Sequence, residues 1–525
     1  MADTLIGAML PTLNAPDELS AEHLRQTIKI RTMSGAIASA GGQGGQLVLT
    51  FAYNAILARL ISPHDFGLVA TAMVVAGFLQ VFKDAGLSTA TIQRDDITYA
   101  QVSNLFWLNV VVGGSAMLGM AATAPVVAWF FHQRELVGIS VALSIAFLLE
   151  GLVVQQVAIL NRQMRFALLS GVELGCAAAG FLIGVIMALT NWGYWSLVGA
   201  TLSTTVFRVT TVWTLSRWRP QWPARGSGTR PLVRFGADLT LVGIVYALSR
   251  GCDSLLIGRY LGSDAVGLYS RATALVTRPL ERLIAPVYAV IVPALSRLQT
   301  EPERYRRAFV QVFDGLAIAA FVLAGLLFPL SDALVKVILG DKWDAAAPIF
   351  AALTFAVVYL PLASATSWLY TSQGRGRDLL VTTCVGAAIM VVAFLAGLQF
   401  GATGVAIAYS ASSLFLILPL TFYIAGRAGP VTTRDLWVTA AAHLPVFFTV
   451  LGATWLAREW IAPSFAAFAQ ILASMAVGGV AGAAALCVFR RSRQATIRIL
   501  SRLHELRIDQ LHNRILRCTS TGLNI

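Results

Sequence analysis

The sequence is dominated by uncharged apolar runs of about twenty residues, which recur along almost the whole chain. A helix of that length crosses the hydrocarbon core of a bilayer with all of its backbone hydrogen bonds satisfied. Only 12% of the residues are charged, about half the share found in soluble domains. We therefore predict an all-α integral membrane protein with about fourteen transmembrane helices.

The arginines between the apolar runs predict how the chain is oriented. One set of connectors, such as 62–65, 191–193 and 262–264, carries no positive residue, whereas the alternate connectors contain one or more arginines. Positive residues are retained on the cytoplasmic side, so this alternation predicts an even number of helices with both termini in the cytoplasm. The N-terminal segment lacks the apolar core and cleavage site of a signal peptide. The positive charge is thus explained by membrane topology, and nucleic-acid binding is not expected.

An internal repeat divides the predicted helices. Leu57–Leu68 aligns without gaps to Ile257–Leu268, and arginine, glycine and leucine recur at equivalent positions. Both segments end an odd-numbered helix on the same predicted side, as expected for two parallel repeats of six helices. The predicted regions are a cytoplasmic segment, a six-helix bundle, a linker, a second six-helix bundle, two further helices and a basic amphipathic cytoplasmic tail. Their boundaries are 1–32, 33–216, 217–235, 236–425, 436–489 and 490–525.

Ionisable and amide side chains inside the predicted helices are the candidate binding groups, because burying a charge in lipid is costly. The predicted substrate-binding residues are Asn54, Lys83, Asp84, Gln155, Arg250, Asp253, Arg271 and Arg278. Arg271 and Arg278 are seven residues apart, which places them on one face of a helix. Guanidinium groups bind phosphate in a bidentate geometry, so a cavity containing them suits a pyrophosphate or acidic sugars. Alternatively, Arg250–Asp253 and Arg278–Glu281 are ion pairs that join helices.

Catalytic chemistry, metal binding and cofactor binding are not predicted. The six histidines are isolated in the sequence, no His/Cys cluster has metal-ligand spacing, and no nucleophile has an adjacent base. The longest connectors are roughly twenty residues, which leaves little room for an active site outside the membrane.

Seven sequence stretches resemble those of a known family. They are ARLISPHDFG (58–67), LNRQMRF (160–166), GYWSLV (193–198), GRYLG (258–262), VGLYSRA (266–272), VPALS (292–296) and ILGDKWDAAAP (338–348). Their order and spacing resemble the polysaccharide transporters of the MOP superfamily, the Wzx-type oligosaccharide flippases, and particularly the WzxC-like branch.

The resemblance implies two six-helix bundles that form a V, two trailing helices, and transport by alternating access. The implied substrate is an undecaprenyl-diphosphate-linked oligosaccharide, moved from the cytoplasmic to the periplasmic leaflet of a bacterial inner membrane for O-antigen, capsule or exopolysaccharide assembly. Such a polyprenyl-diphosphate-linked head would bind in a cationic central cavity. A coupling ion (H⁺ or Na⁺) and polysaccharide polymerase or export proteins are compatible partners.

Two other functions are consistent with a polytopic helical chain. A MATE-like drug or cation antiporter shares the fold, but its pocket should be acidic or aromatic rather than arginine-rich. A membrane enzyme or scaffold of polysaccharide assembly is the second alternative. The enzyme is disfavoured by the short connectors, and the scaffold by the charges inside the predicted helices.

Overall fold

A computed structural model describes residues 28–84, 88, 91, 97–216, 218–224, 251–461 and 467–498; for 28–40, 43, 81–84, 283 and 461 it describes the backbone alone. Every regular element in these residues is helical, as the apolar runs predict. The chain divides into two compact units, Met1–Gly267 and Leu268–Ile525, with the division inside a long helix.

The first unit contains seven described helices before the segment 251–261, which is also helical. They are α1 (Ile28–Leu60), α2 (Pro63–Asp84), α3 (Tyr99–Phe131), α4 (Glu135–Gly151), α5 (Val154–Arg162), α6 (Phe166–Leu189) and α7 (Trp195–Ser216). The segment 251–261 is α8.

The helix that crosses the division and those of the second unit continue the series. They are α9 (Ser263–Arg297), α10 (Pro302–Leu327), α11 (Ser331–Leu339), α12 (Ala347–Leu353), α13 (Ala356–Ser372), α14 (Gly376–Gly397), α15 (Gly401–Ser412), α16 (Leu418–Gly426), α17 (Thr433–Ala442), α18 (Leu444–Leu456) and α19 (Ala467–Val488). A final helix, α20, covers 490–498.

The prediction of an all-helical membrane protein is confirmed. Among the described residues, 8 helices are long and apolar enough to cross a membrane, or 9 if a bent pair, Asp341–Leu353 with Ala356–Ser372, is one span. Helices α1, α2 and α7 also occupy predicted transmembrane segments. Most of the predicted linker 217–235 and of the tail 490–525 lies outside the described residues, although the tail begins as the helix α20.

Small residues set the close packing of adjacent helices. In α6, a methyl group on Gly184 would lie 2.8 Å from the β-carbon of Ala200 in α7, and one on Gly180 would overlap the hydroxyl of Thr204. The two pairings run in opposite directions along the helices, so α6 and α7 are antiparallel, as their short connector predicts. Without a hydrophobic drive between helices in lipid, such close backbone approach is what stabilises the pair.

The two glycines shared by the repeat contact each other. Gly67 lies near the start of α2 and Gly267 near the start of α9, and both belong to the first unit. A β-carbon on either glycine would lie 3.1 Å from the backbone nitrogen of the other. It would also overlap a carbonyl oxygen: that of Ser263 for Gly67, and that of Pro63 for Gly267. The repeated glycine is therefore explained by a reciprocal helix crossing that only a hydrogen side chain permits.

We predict that Gly67→Ala and Gly267→Ala each lower the stability of the purified protein by about 1–3 kcal/mol, the usual effect of overpacking a close contact. The measurement is thermal unfolding in detergent. Gly77→Ala is the matched control, because Gly77 lies in the same α2 helix and no described atom is within 4 Å of the added methyl group. Equal melting of the Gly67→Ala and Gly77→Ala variants would contradict the proposed crossing.

Candidate functional site

For three of the predicted binding residues, the side chain lies outside what the structure describes. Arg250 lies outside the described residues, and Lys83 and Asp84 end α2 with side chains that are likewise outside them. Asp253, in α8, is half-buried, and its Oδ1 accepts a hydrogen bond of 2.6 Å from the backbone nitrogen of Ser254. The predicted pairing of Arg250 with Asp253 therefore stays a prediction.

The two predicted amides are buried on different helices of the first unit. Asn54, in α1, donates from Nδ2 to the carbonyl oxygen of Thr50 at 2.7 Å. Gln155, in α5, is fully buried, and its Oε1 accepts a hydrogen bond of 2.8 Å from the hydroxyl of Thr91. Gln155 Nε2 has no partner in the described part of the chain, and the same is true of both amide atoms of Gln156 and Asn109. A buried polar atom without a partner costs about 1–3 kcal/mol, so these amides are candidate contacts for a polar ligand.

Arg271 and Arg278 lie on one continuous helix, α9, as the sequence predicts. At 1.5 Å per residue, their α-carbons are about 10 Å apart along the helix axis. Arg271 is half-buried and Arg278 is exposed. Arg282 follows one helical turn after Arg278, so the three guanidinium groups form a row along α9. The helix also contains Pro279, Pro286 and Pro293, and proline inside a helix removes a backbone hydrogen bond and favours bending.

A half-buried ion triad in the first unit includes Arg208, which is not among the predicted binding residues. Arg208, in α7, contacts Glu150 Oε2 at 3.0 Å through Nη1 and Glu173 Oε1 at 2.8 Å through Nη2. The three residues come from α7, α4 and α6, and 23%, 18% and 38% of their respective side chains are exposed. One guanidinium therefore binds carboxylates from two other transmembrane helices.

We predict that Arg208→Leu destabilises the first unit by about 3 kcal/mol, because both carboxylates lose their shared cation in a low-dielectric setting. The triple variant Arg208→Leu with Glu150→Gln and Glu173→Gln should recover most of this loss. Thermal unfolding in detergent measures both effects. Arg134→Leu, at the exposed start of α4, is the control and should change little. A triple variant no more stable than Arg208→Leu alone would contradict this assignment.

A chain of polar side chains in the second unit connects α10, α20 and the turn between α17 and α18. His443 has no exposed surface, and its Nε2 lies 3.1 Å from Asp314 Oδ1 in α10. The His443 Nδ1 lies 3.0 Å from the Ser492 hydroxyl in α20, and Arg498 Nη2 lies 3.2 Å from Asp314 Oδ2. A neutral imidazole protonated at Nε2 satisfies both of its contacts. His443, isolated in the sequence, therefore has charged and polar neighbours in space.

We predict that Asp314 and His443 are energetically coupled. Alanine at each position and at both should give a coupling energy of about 1–3 kcal/mol in a double-mutant cycle, the range for groups in one hydrogen-bonded network. Thermal unfolding of the four proteins measures it. The control cycle combines His443→Ala with Asp332→Ala, since Asp332 pairs with Arg458 instead. The coupling prediction fails if the Asp314–His443 cycle is as additive as the control.

The sequence contained a signal for both networks. Arg208 lies in the predicted helix near 193–216 and His443 in the predicted helix near 436–457, so each is an ionisable residue inside an apolar run. Glu150, Glu173 and Asp314 are likewise carboxylates inside apolar runs, but nothing in the sequence ranks them. The structure distinguishes them by their partners. Across the described residues, no group of three or more His, Cys, Asp or Glu side chains is arranged to hold a metal ion.

Comparison with known sequences identifies related proteins. Residues 56–348, more than half of the chain, match the family model described as polysaccharide biosynthesis protein. The chain is 29% identical over 300 residues to the teichuronic acid biosynthesis protein TuaB of Bacillus subtilis, covering 57% of this chain and 62% of TuaB. It is 26% identical over 331 residues to the lipopolysaccharide biosynthesis protein WzxC of Escherichia coli, covering 62% and 66%. These two matches span less than two thirds of the relatives' own lengths.

A longer match is with the succinoglycan biosynthesis transport protein ExoT of Rhizobium meliloti, which is 24% identical over 480 residues, covering 90% of this chain and 93% of ExoT. Among solved structures, the inward closed conformation of the lipid II flippase MurJ has a TM-score of 0.64 at 13% identity, covering 87% of this chain and 99% of MurJ. An inward-facing MATE family transporter of the MOP superfamily has a TM-score of 0.58 at 14% identity, covering 77% and 99%. At these identities the two structures establish a shared fold.

Proposed function

The chain belongs to the polysaccharide biosynthesis protein family, and from that premise we propose that it flips polyprenyl-diphosphate-linked oligosaccharide units across a bacterial inner membrane. The family assignment agrees with the predicted resemblance to the Wzx-type transporters, and the chain is a transporter of polysaccharide biosynthesis rather than an enzyme. In the proposed direction, the oligosaccharide head moves from the cytoplasmic to the periplasmic leaflet while the polyprenyl tail remains in lipid.

The arginine row of α9 is the observation that carries this proposal. Arg271 and Arg278 lie on a membrane-length helix that contains three prolines. An arginine in hydrocarbon costs about 2.5–3.5 kcal/mol even on lenient scales, so such a row requires a polar environment. A diphosphate supplies the complementary charge, and guanidinium groups bind its oxygens in pairs. The buried amides of Gln155, Gln156 and Asn109 are suited to hydrogen-bond sugar hydroxyls.

The proposed architecture is that of the sequence prediction: fourteen transmembrane helices, two bundles of six in a V, two trailing helices and both termini in the cytoplasm. Alternating access would then expose the cationic path to one leaflet at a time. The fold shared with an inward closed flippase and an inward-facing transporter supports such a cycle.

The energy source belongs to the same proposal. An H⁺ or Na⁺ gradient, or the membrane potential, drives the step, and polysaccharide polymerase or export proteins receive the product. For a proton, the buried Asp314–His443 contact of the second unit is the proposed coupling site.

A MATE-like cation antiporter is the alternative within the same fold, and the solved MATE structure is compatible with it. An organic cation would be repelled by the α9 arginines. The two functions therefore make opposite predictions for removal of the α9 arginines. Polysaccharide export should fall, whereas transport of an organic cation should not.

We predict that Arg271→Ala and Arg278→Ala each reduce polysaccharide export at least about tenfold, because each loses a charge-assisted contact to phosphate. The assay is complementation of a bacterial strain lacking its own flippase, scored by surface polysaccharide and by accumulation of lipid-linked oligosaccharide inside. Arg271→Lys and Arg278→Lys keep the charge and should retain part of the activity.

Arg297→Ala is the matched control, since Arg297 is the exposed last residue of the same helix. Membrane insertion of every variant is verified by fractionation. Full export by a correctly inserted Arg271→Ala, Arg278→Ala double variant would rule out the arginine row as the binding element. Resistance to an organic cation that rises in that double variant would favour the antiporter.

A further inference from the structure

A basic pocket of about 830 Å³ lies within the second unit, beside the first turns of α10. Its charged lining comes from three helices: α10, α17 and α20. The charged residues are Arg304, Arg306, Arg307, Arg498 and Asp435. Four guanidinium groups thus surround a space that contains one carboxylate.

The single carboxylate is already neutralised. Arg306 binds Asp435 in a bidentate geometry, with Nε donating to Oδ2 at 2.9 Å and Nη2 donating to Oδ1 at 2.6 Å. Asp435 also accepts from the backbone nitrogen of Thr432 at 3.0 Å, in the box that caps α17. This arrangement holds Arg306 and Asp435 to each other and leaves the other arginines to set the charge of the pocket.

Two of the remaining arginines are held only loosely. Arg304 forms an exposed i,i+3 contact of 2.7 Å with Glu301, in which 64% of the arginine side chain remains accessible. Exposed pairs of this kind contribute about 0–1 kcal/mol, so an anion displaces them easily. Arg307 donates from Nε to the carbonyl oxygen of Glu303 at 3.2 Å, and the described residues include no carboxylate partner for it. Arg304 and Arg307 are therefore ready to bind an anion.

The remaining lining is aliphatic apart from Gln311. Ile291 contributes from α9, Leu298 follows the end of α9, and Ala308, Val310 and Val312 contribute from α10. The pocket lies where α10, a membrane-length helix, begins, on the side that its arginines predict to be cytoplasmic. A site with guanidinium groups beside aliphatic side chains, at the level where a transmembrane helix emerges, matches a molecule with a charged head and an apolar tail.

We propose that this pocket binds the phosphate-bearing headgroup of a lipid in the adjacent leaflet. Arg304 and Arg307 contact the phosphate oxygens, the Arg306–Asp435 pair maintains the shape of the pocket, and the aliphatic residues contact the first carbons of the tail. Both an anionic phospholipid and a polyprenyl diphosphate carry this chemistry. The site lies within the second unit, and its lining includes none of the arginines of the α9 row. Binding of a bilayer lipid here is independent of the proposed transport, whereas binding of the transported head rests on it.

Lipid binding to the purified, delipidated full chain tests the proposal. Native mass spectrometry would be used with four probes: dioleoylphosphatidylglycerol, a short-chain polyprenyl diphosphate, zwitterionic dioleoylphosphatidylcholine and inorganic pyrophosphate. We expect at least one of the first two to bind the wild-type chain. The double variant Arg304→Gln, Arg307→Gln should weaken that binding about tenfold, as expected when charge-assisted contacts to phosphate are lost. Arg377→Gln, an exposed arginine of α14 outside the pocket, is the control.

The outcomes separate the two lipid sources. A loss confined to phosphatidylglycerol identifies a bilayer lipid as the ligand, whereas a loss confined to the polyprenyl diphosphate identifies the head of the transported substrate. Equal binding by the double variant and the wild type, or an equal loss in Arg377→Gln, would overturn the proposal. Pyrophosphate binding as tight as that of the lipids would also overturn it, because the apolar wall would then contribute nothing. If the double variant unfolds, Arg304→Lys with Arg307→Lys keeps the charge and should give a smaller loss.

Discussion

Hydrocarbon provides no hydrogen-bonding partner, and the organisation of this protein depends on that constraint. Charged side chains on its transmembrane helices must therefore be neutralised by other helices or meet a polar ligand. Arg208 is paired with Glu150 and Glu173, and Asp314 is paired with Arg498 and contacts His443. The first network joins three helices and the second joins α10 and α20 to the turn between α17 and α18, so each stabilises the arrangement of the helices as well as the charges. The amides of Asn109 in α3 and Gln156 in α5 are the opposite case, because their polar atoms have no partner among the described residues.

Close backbone contact also stabilises the packing of the helices. In lipid, neighbouring helices gain from van der Waals contact rather than from the hydrophobic effect, so the smallest residues mark the closest approaches. Gly67 and Gly267 are the clearest pair, because each occupies the equivalent position of the repeat and each contacts the other. The repeated glycine therefore reflects a close helix contact as well as the similarity of the two sequence segments. A side chain on either glycine would push the starts of α2 and α9 apart.

Arginine serves three purposes in the described structure. Arg208 binds two carboxylates through its Nη1 and Nη2 groups. The row on α9 is proposed to bind the anionic head of the transported molecule. Arg304 and Arg307, at the start of α10, are proposed to bind a lipid phosphate. Arg208 and the two α10 arginines differ in their partners. Arg208 binds two half-buried carboxylates, whereas Arg304 is held by an exposed glutamate and Arg307 by a carbonyl oxygen, so these two still attract an anion.

The sequence by itself determined the membrane class, the helices, the repeated glycines and the single helix that carries Arg271 and Arg278. These features depend on hydropathy, charge and spacing within one segment, and such local properties can be read directly from the sequence. Only the tertiary structure decided that Arg208 joins Glu150 to Glu173, that His443 contacts Asp314, and that Arg498 approaches the basic pocket of α10. The Arg498–Asp314 contact, for example, joins residues 184 positions apart. Such contacts depend on which helix faces meet, and helix packing, rather than local sequence, sets that choice.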